Sequence, residues 1–216
     1  MISYFGLKMF LKGASKFTSM IKCVIFDLGN VTIKFDETPT FEKWSSCGKY
    51  SFDEVKRYYQ NSSVRKALER GEVTPKQFYD KYAKDLGLKI THKEFEKCYC
   101  DIFSRNLGVE RIIKSLKGKV RLVLLSNTNE RQYEFARKRY KIIDLFDDYV
   151  LSYKVGYRKP NPLIFIEAIK KSKACPWNCV YFDDIAGFVH IARLMGIKSF
   201  LYKNSAQMSD ILKKVL

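Results

Sequence analysis

Short unbroken apolar runs alternate with longer amphipathic stretches over much of this chain, and the two patterns predict two kinds of element. Cys23, Val24, Ile25 and Phe26 form a run rich in β-branched and aromatic residues, too short for a helix and suited to a buried strand. Comparable runs recur at 120–125, 149–151, 179–182 and 199–202. Helical patterns separate them. A polar helix leads to about Tyr140, and Asn161-Pro162 opens one with Phe165, Ala168, Ile169 and Ser172 on a single face. Another carries Phe188, Ile191, Ala192 and Met195 and closes at Gly196. Strands alternating with helices in this way predict an α/β fold with a Rossmann-like, doubly wound parallel sheet.

The rhythm breaks between the first two of these strands. From about 35 to 106 no convincing strand is found, and helix signals follow one another. Ser51-Phe52-Asp53-Glu54 opens one helix, and Thr74-Pro75-Lys76-Gln77 reads as a capping box with proline at the first helical position. Thr91 and Glu94 form another, followed by Phe95, Cys98, Tyr99 and Ile102 at i, i+3, i+4 and i+7. Gly71 and Gly87 punctuate the breaks. The expected organisation is a core from 20–34 and 107–216 with a helical-bundle cap at 35–106. Tyr58, Tyr59, Phe78, Tyr82, Phe95 and Tyr99 are expected in the core of that bundle. Residues 1–19 stand apart, with Lys8, Lys12 and Lys16 and no acid, and read as a loosely attached extension or as residues ahead of the native start. No internal repeat, low-complexity tract or linker is present.

Composition narrows the partners. The 216 residues are 46% hydrophobic and 29% charged, as in an ordinary soluble protein, and no apolar run is long enough to span a bilayer. Lys and Arg number 40 against 23 Asp and Glu, a net charge of +17 that favours anionic ligands. These basic residues are scattered, without a long block or an RNA-binding signature, so a small phosphorylated metabolite is expected rather than nucleic acid or membrane. Six cysteines, at 23, 47, 98, 100, 175 and 179, lack both a secretory signal and CxxC spacing. Reduced thiols in the cytoplasm, without structural zinc, are the expectation. His92 and His190 read as surface or cap residues. A monomer or a homodimer is equally compatible with the sequence.

Three predicted strands end in residues suited to a single anionic site. Asp27, followed by the turn pair Gly29-Asn30, ends the first, Ser126-Asn127 follows the second, and Asp183-Asp184 ends the fourth. In an open parallel sheet these would meet at the carboxyl edge, where ligands bind. Lys159, in a loop leading into a helix, is a fourth contributor. Several carboxylates beside a phosphate would repel it, so a hard divalent cation, Mg²⁺, is expected. Asp27 would then be a nucleophile toward phosphorus, with Ser126, the Asn127 backbone N–H and Lys159 holding the transferring oxygens. Ser63 and Arg65 are the expected cap residues facing substrate.

In this order the motifs Phe26-Asp27-Leu28-Gly29-Asn30-Val31, Ser126-Asn127-Thr128, Arg158-Lys159-Pro160 and Phe182-Asp183-Asp184 resemble the four motifs of the haloacid dehalogenase (HAD) superfamily. The resemblance spans roughly 21–205 and is strongest to the sugar-phosphatase-like branch. It implies a phosphatase acting through an aspartyl-phosphate, with Mg²⁺ on the Asp27 carboxylate, the Gly29 carbonyl and Asp184, and Asp183 as ligand or support. Two departures from the pattern involve three positions. Most phosphatases of the superfamily carry a second Asp, the general acid/base, where Gly29 stands, although the sugar-phosphatase-like branch shares the Gly. Ile185 and Phe188 stand where that branch usually has Asn. Two alternatives follow: a metal-independent 2-haloacid dehalogenase, or a catalytically weak protein that binds a phosphorylated ligand.

Overall fold

The computed structural model describes residues 20–216; the extension at 1–19 lies outside them. Five parallel strands form the central sheet: β1 (Cys23–Phe26), β4 (Arg121–Ser126), β5 (Asp148–Leu151), β6 (Cys179–Asp183) and β7 (Lys198–Leu201). Their order is β5-β4-β1-β6-β7, each neighbouring pair parallel, so the chain reverses its direction of growth across β1. That reversal opens a crevice at the carboxyl ends of β1, β4 and β6.

Helices cover both faces of the sheet, which explains why its strands are continuously apolar rather than alternating. On one face Val24, Phe26, Leu122, Leu124, Val180 and Phe182 pack with Val109 and Ile113 of α6 (Leu107–Leu116), Ala136 of α7 (Glu130–Arg139) and Met208 of α11 (Ser205–Val215). On the other, Ile25, Val123, Leu125 and Tyr181 pack with Ile164, Phe165 and Ala168 of α9 (Pro162–Ser172) and Ala192 of α10 (Ala186–Leu194). A short helix, α8 (Ser152–Val155), follows β5.

Five helices between β2 and β3 form a second cluster: α1 (Thr38–Cys47), α2 (Phe52–Asn61), α3 (Ser63–Glu69), α4 (Pro75–Leu86) and α5 (His92–Cys100), with β2 at Ile33–Phe35 and β3 at Phe103–Arg105. Capping boxes open α2, α4 and α5 at Ser51, Thr74 and Thr91, as their sequences indicate. Trp44 is the hub of the apolar interior, fully buried and stacked on Phe95 with ring centroids 4.7 Å apart, with Tyr82 at 5.3 Å. Tyr59, Phe78, Tyr82, Phe95 and Tyr99 are buried around it, whereas Tyr58 is half-buried and donates its hydroxyl hydrogen to Asp85.

One element departs from the sequence reading. Phe103–Arg105 forms a strand, β3, antiparallel to β2 (Ile33–Phe35), so the segments entering and leaving the cap are zipped together. Three residues are too few to carry a period-two signal, which is why the stretch reads as featureless in the sequence.

Candidate active site

The turn after β1 sets the geometry. Thr32 donates its hydroxyl hydrogen to the Asp27 carbonyl at 2.6 Å, and the Ile33 N–H reaches the Leu28 carbonyl at 2.9 Å. Asn30 takes a left-handed conformation, φ 57°, which Asn tolerates better than most residues. Its amide donates to Asp184 at 3.1 Å, joining the β1 turn to the end of β6.

Lys159 is the centre of the site. Its ammonium lies 2.7 Å from Asp27 Oδ1 and 2.6 Å from Asp183 Oδ2, and the residue is 2% exposed. Asn127 fixes the loop that carries it: the Asn127 amide donates to the Lys159 carbonyl at 3.0 Å, and the Lys159 N–H donates to Asn127 Oδ1 at 2.7 Å. Asp183 is fully committed. One oxygen receives Lys159 and the Tyr181 hydroxyl, and the other receives the Ile185 N–H at 2.8 Å. The Ile185 backbone thus supports this carboxylate although its side chain cannot, and the Phe188 ring lies under the Lys159 ammonium, 5.2 Å from its centroid.

Burial pushes the Asp27 carboxyl up to about 7, against the pull of Lys159. Burial also works against the charge on Lys159, but Asp27 and Asp183 outweigh it and hold the ammonium above the usual lysine range. Asp184 is raised by burial, with the Asn30 hydrogen bond opposing. Carboxylate oxygens of Asp27, Asp183 and Asp184 lie within 4.8 Å of one another, an all-oxygen donor set that fits a hard divalent ion such as Mg²⁺.

With this arrangement in view, the family can be read. The model of haloacid dehalogenase-like hydrolases matches residues 21–187. The chain belongs to that family. This hydrolase is 27% identical over 204 residues to D-ribitol-5-phosphate phosphatase of Bacteroides thetaiotaomicron, covering 91% of this chain and 99% of the relative. It is 26% identical over 111 residues to a phosphorylated carbohydrates phosphatase of Thermotoga maritima, covering 51% of each chain. Among solved structures, a HAD-family enzyme of Bacteroides thetaiotaomicron in complex with magnesium and inorganic phosphate superimposes with a TM-score of 0.76 at 25% identity, covering 85% of this chain and 95% of that one. The hydrolase is accordingly a phosphatase, a phosphoric monoester hydrolase, with Mg²⁺ as its cofactor.

A cavity of about 320 Å³ stands over the carboxylates of the hydrolase. Asp27, Gly29, Ser126, Asn127, Lys159 and Asp184 line its floor, while Asp183 lies fully buried beneath. The cap supplies the roof, and here the sequence reading was incomplete. Arg65 lines the cavity, but Ser63 is exposed and borders a different surface hollow, beside Tyr50 and Arg57. Positions two apart on a helix face different directions, so both residues of α3 cannot reach one pocket.

Glu37, Tyr59, Glu69 and Arg158 also line it, and none was expected there. Glu69 receives Arg65 at 2.8 Å on one oxygen and Arg158 on the other. The second pair ties the cap to the loop that carries Lys159. Arg65 is itself braced by the Tyr59 carbonyl at 3.1 Å, with its guanidinium 4.8 Å from the Tyr59 ring centroid. A signal for Arg158 existed in its position next to Lys159. Glu69 stands at i, i+4 from Arg65 on α3, but its pairing with Arg158 is set by how the cap docks. His190 is exposed on α10, and His92 packs against Tyr79 in the cap, 4.9 Å between ring centroids.

Proposed function

We propose that this phosphatase hydrolyses a small sugar or polyol phosphate through a phosphoryl group carried on Asp27. The observation that supports it best is the floor of the cavity, where a buried lysine spans two aspartates beside a third carboxylate. Lys159 holds Asp27 Oδ1, leaving the second oxygen to attack phosphorus in line while the bond to the leaving oxygen breaks. Water then cleaves the acyl phosphate, returning Asp27 and releasing inorganic phosphate. Ser126, the Asn127 N–H and Lys159 balance charge on the transferring oxygens. Asp27, Asp184 and the Gly29 carbonyl would hold Mg²⁺, which when bound neutralises the phosphate against the acidic floor. Asp183, with both oxygens already engaged, serves as the support that fixes Lys159.

The roof suits a hydroxylated substrate. Two guanidiniums and two carboxylates around a cavity of about 320 Å³ offer donors and acceptors to a chain of hydroxyls, and the relatives named for ribitol 5-phosphate and phosphorylated carbohydrates act on such molecules. Metal-independent dehalogenation is disfavoured by the clustered carboxylates. No helix among the described residues is long and apolar enough to cross a membrane, and a reducing, cytoplasmic setting suits the six free thiols. The test is a panel of pentitol, pentose and hexose phosphates with and without Mg²⁺, on wild type and Asp27→Asn. Metal-dependent phosphate release by wild type, lost in the variant, is expected; turnover that survives in Asp27→Asn would contradict the assignment.

A further inference from the structure

Position 29 carries no side chain, so the hydrolase lacks a proton donor where most of its superfamily keeps one. A β-carbon built on Gly29 meets Phe35 Cε1 at 2.9 Å, closer than real β-carbons approach a neighbour, and Cδ1 at 3.0 Å, so a side chain there would require the Phe35 ring to shift. The ring of Phe35 occupies that space, as part of the β2 strand that leads into the cap. Two residues further on, Glu37 enters the same cavity as Asp27.

The other acidic groups lining this cavity already have tasks. Asp27 sits on Lys159, Asp184 receives Asn30, and Glu69 is divided between Arg65 and Arg158. Glu37 is instead influenced by the Tyr59 hydroxyl and by Arg65, both of which favour its charged form. Behind it the Tyr59 ring packs against the buried Tyr99 ring, 6.4 Å between centroids, and the Asn129 amide donates to the Tyr99 oxygen at 3.0 Å. Asn129 lies in the loop after β4 that also bears Asn127, so the residues beside Glu37 are packed against both the cap and the core.

We propose that Glu37 is the general acid and base of this phosphatase, reaching the reacting oxygens from the cap in place of a carboxylate at residue 29. The proposal rests on the phosphatase reading above. As the bond from Asp27 to phosphorus forms and the ester P–O bond breaks, the Glu37 carboxyl gives its proton to the leaving oxygen, producing the alcohol. The resulting carboxylate takes a proton from the water that attacks phosphorus, the bond from phosphorus to Asp27 breaks, and Glu37 ends protonated again. Burial raises the Glu37 carboxyl above the usual range, opposed by the Tyr59 hydroxyl and by Arg65, while Glu69 and Asp36 reinforce the rise. That direction suits an acid that must keep its proton until the ester breaks.

The test is kcat/KM, which reports the steps up to departure of the leaving group, for a series of substituted phenyl phosphates and simple alkyl phosphates with Mg²⁺. None of these carries sugar hydroxyls, so a role in binding the polyol does not enter. In Glu37→Gln the alkyl phosphates should lose about 10²–10⁴-fold, the usual worth of a general acid, with a smaller loss as the leaving group improves. The dependence on leaving-group pKa therefore steepens. The alkaline limb of the wild-type profile, which reports loss of the Glu37 proton, should vanish in Glu37→Gln. In Tyr59→Phe, which removes a hydroxyl that favours the charged form, the limb should move to higher pH. Melting curves of both variants report whether they fold. Parallel slopes and an unchanged alkaline limb in folded Glu37→Gln would overturn the proposal alone. A wild type inert toward the whole series would overturn the phosphatase reading, and this proposal with it.

Discussion

The floor and the roof of the cavity are built by different rules. The floor comes from the ends of β1, β4 and β6 and from the loop before α9, all anchored in an aliphatic sheet covered on both faces. Its charges are gathered around one buried cation, Lys159, which holds both Asp27 and Asp183. The roof comes from cap helices centred on aromatic rings, and its charges are gathered around a buried anion, Glu69, which serves two half-buried arginines. A fixed floor suits a reaction that demands one geometry for phosphorus. A roof of shared charges, one of them reaching across to the core through Arg158, suits recognition of whatever carries the phosphate.

The largest break in that comparison is expected from Lys159→Met. It leaves Asp27 and Asp183 buried without a counter-charge, which typically costs about 3–5 kcal/mol, so both activity and melting temperature should fall. Melting curves and phosphate release measure the two effects separately. Next comes removal of Mg²⁺ by EDTA. With Mg²⁺ held by the floor carboxylates, as proposed, turnover of simple phenyl phosphates and of sugar phosphates should fail together, and adding Mg²⁺ should restore both. A metal effect confined to sugar phosphates would place the ion in the roof instead.

Glu69→Gln probes the roof. Loss of the carboxylate frees Arg65 and Arg158, and KM for a pentitol phosphate should rise about tenfold, equivalent to about 1.4 kcal/mol, while phenyl phosphate is much less affected. Equal effects on both substrates would mean that the pair holds the cap closed rather than reading the substrate. The smallest effect is expected at the far end of the cap. The Thr91 backbone and hydroxyl donate to Glu94 and hold its carboxyl below the ordinary range. A lowered folded-state pKa gives stability that is present above the unfolded value and lost as pH falls through the folded one. The difference in melting temperature between wild type and Glu94→Gln should therefore shrink on acidification.

The floor was largely legible in the sequence because each of its groups follows directly from a buried strand or the start of a helix, and a parallel sheet aligns such ends without further information. Even there the reading stopped at residue type: that Asp183 is spent on Lys159, Tyr181 and the Ile185 N–H depends on side-chain directions no spacing reveals. The roof was mostly illegible. Arg65 was found, but Ser63, two positions away on the same helix, turns to another surface. Glu69 and Arg158 meet across 89 residues of chain, and Glu37 matters only because Phe35 fills the space over Gly29. Such contacts are decided by how the cap docks on the core, and local pattern carries no trace of that.

Everything proposed for the floor turns on whether Asp27 takes up the phosphoryl group. The direct measurement is mass spectrometry of the enzyme quenched in acid during turnover of a sugar phosphate with Mg²⁺, followed by proteolysis. One added phosphoryl group on the peptide containing Asp27, absent without Mg²⁺ and in Asp27→Asn, is the expected result. Phosphate release at full rate with that peptide never modified, or with the label on another residue, would contradict the account.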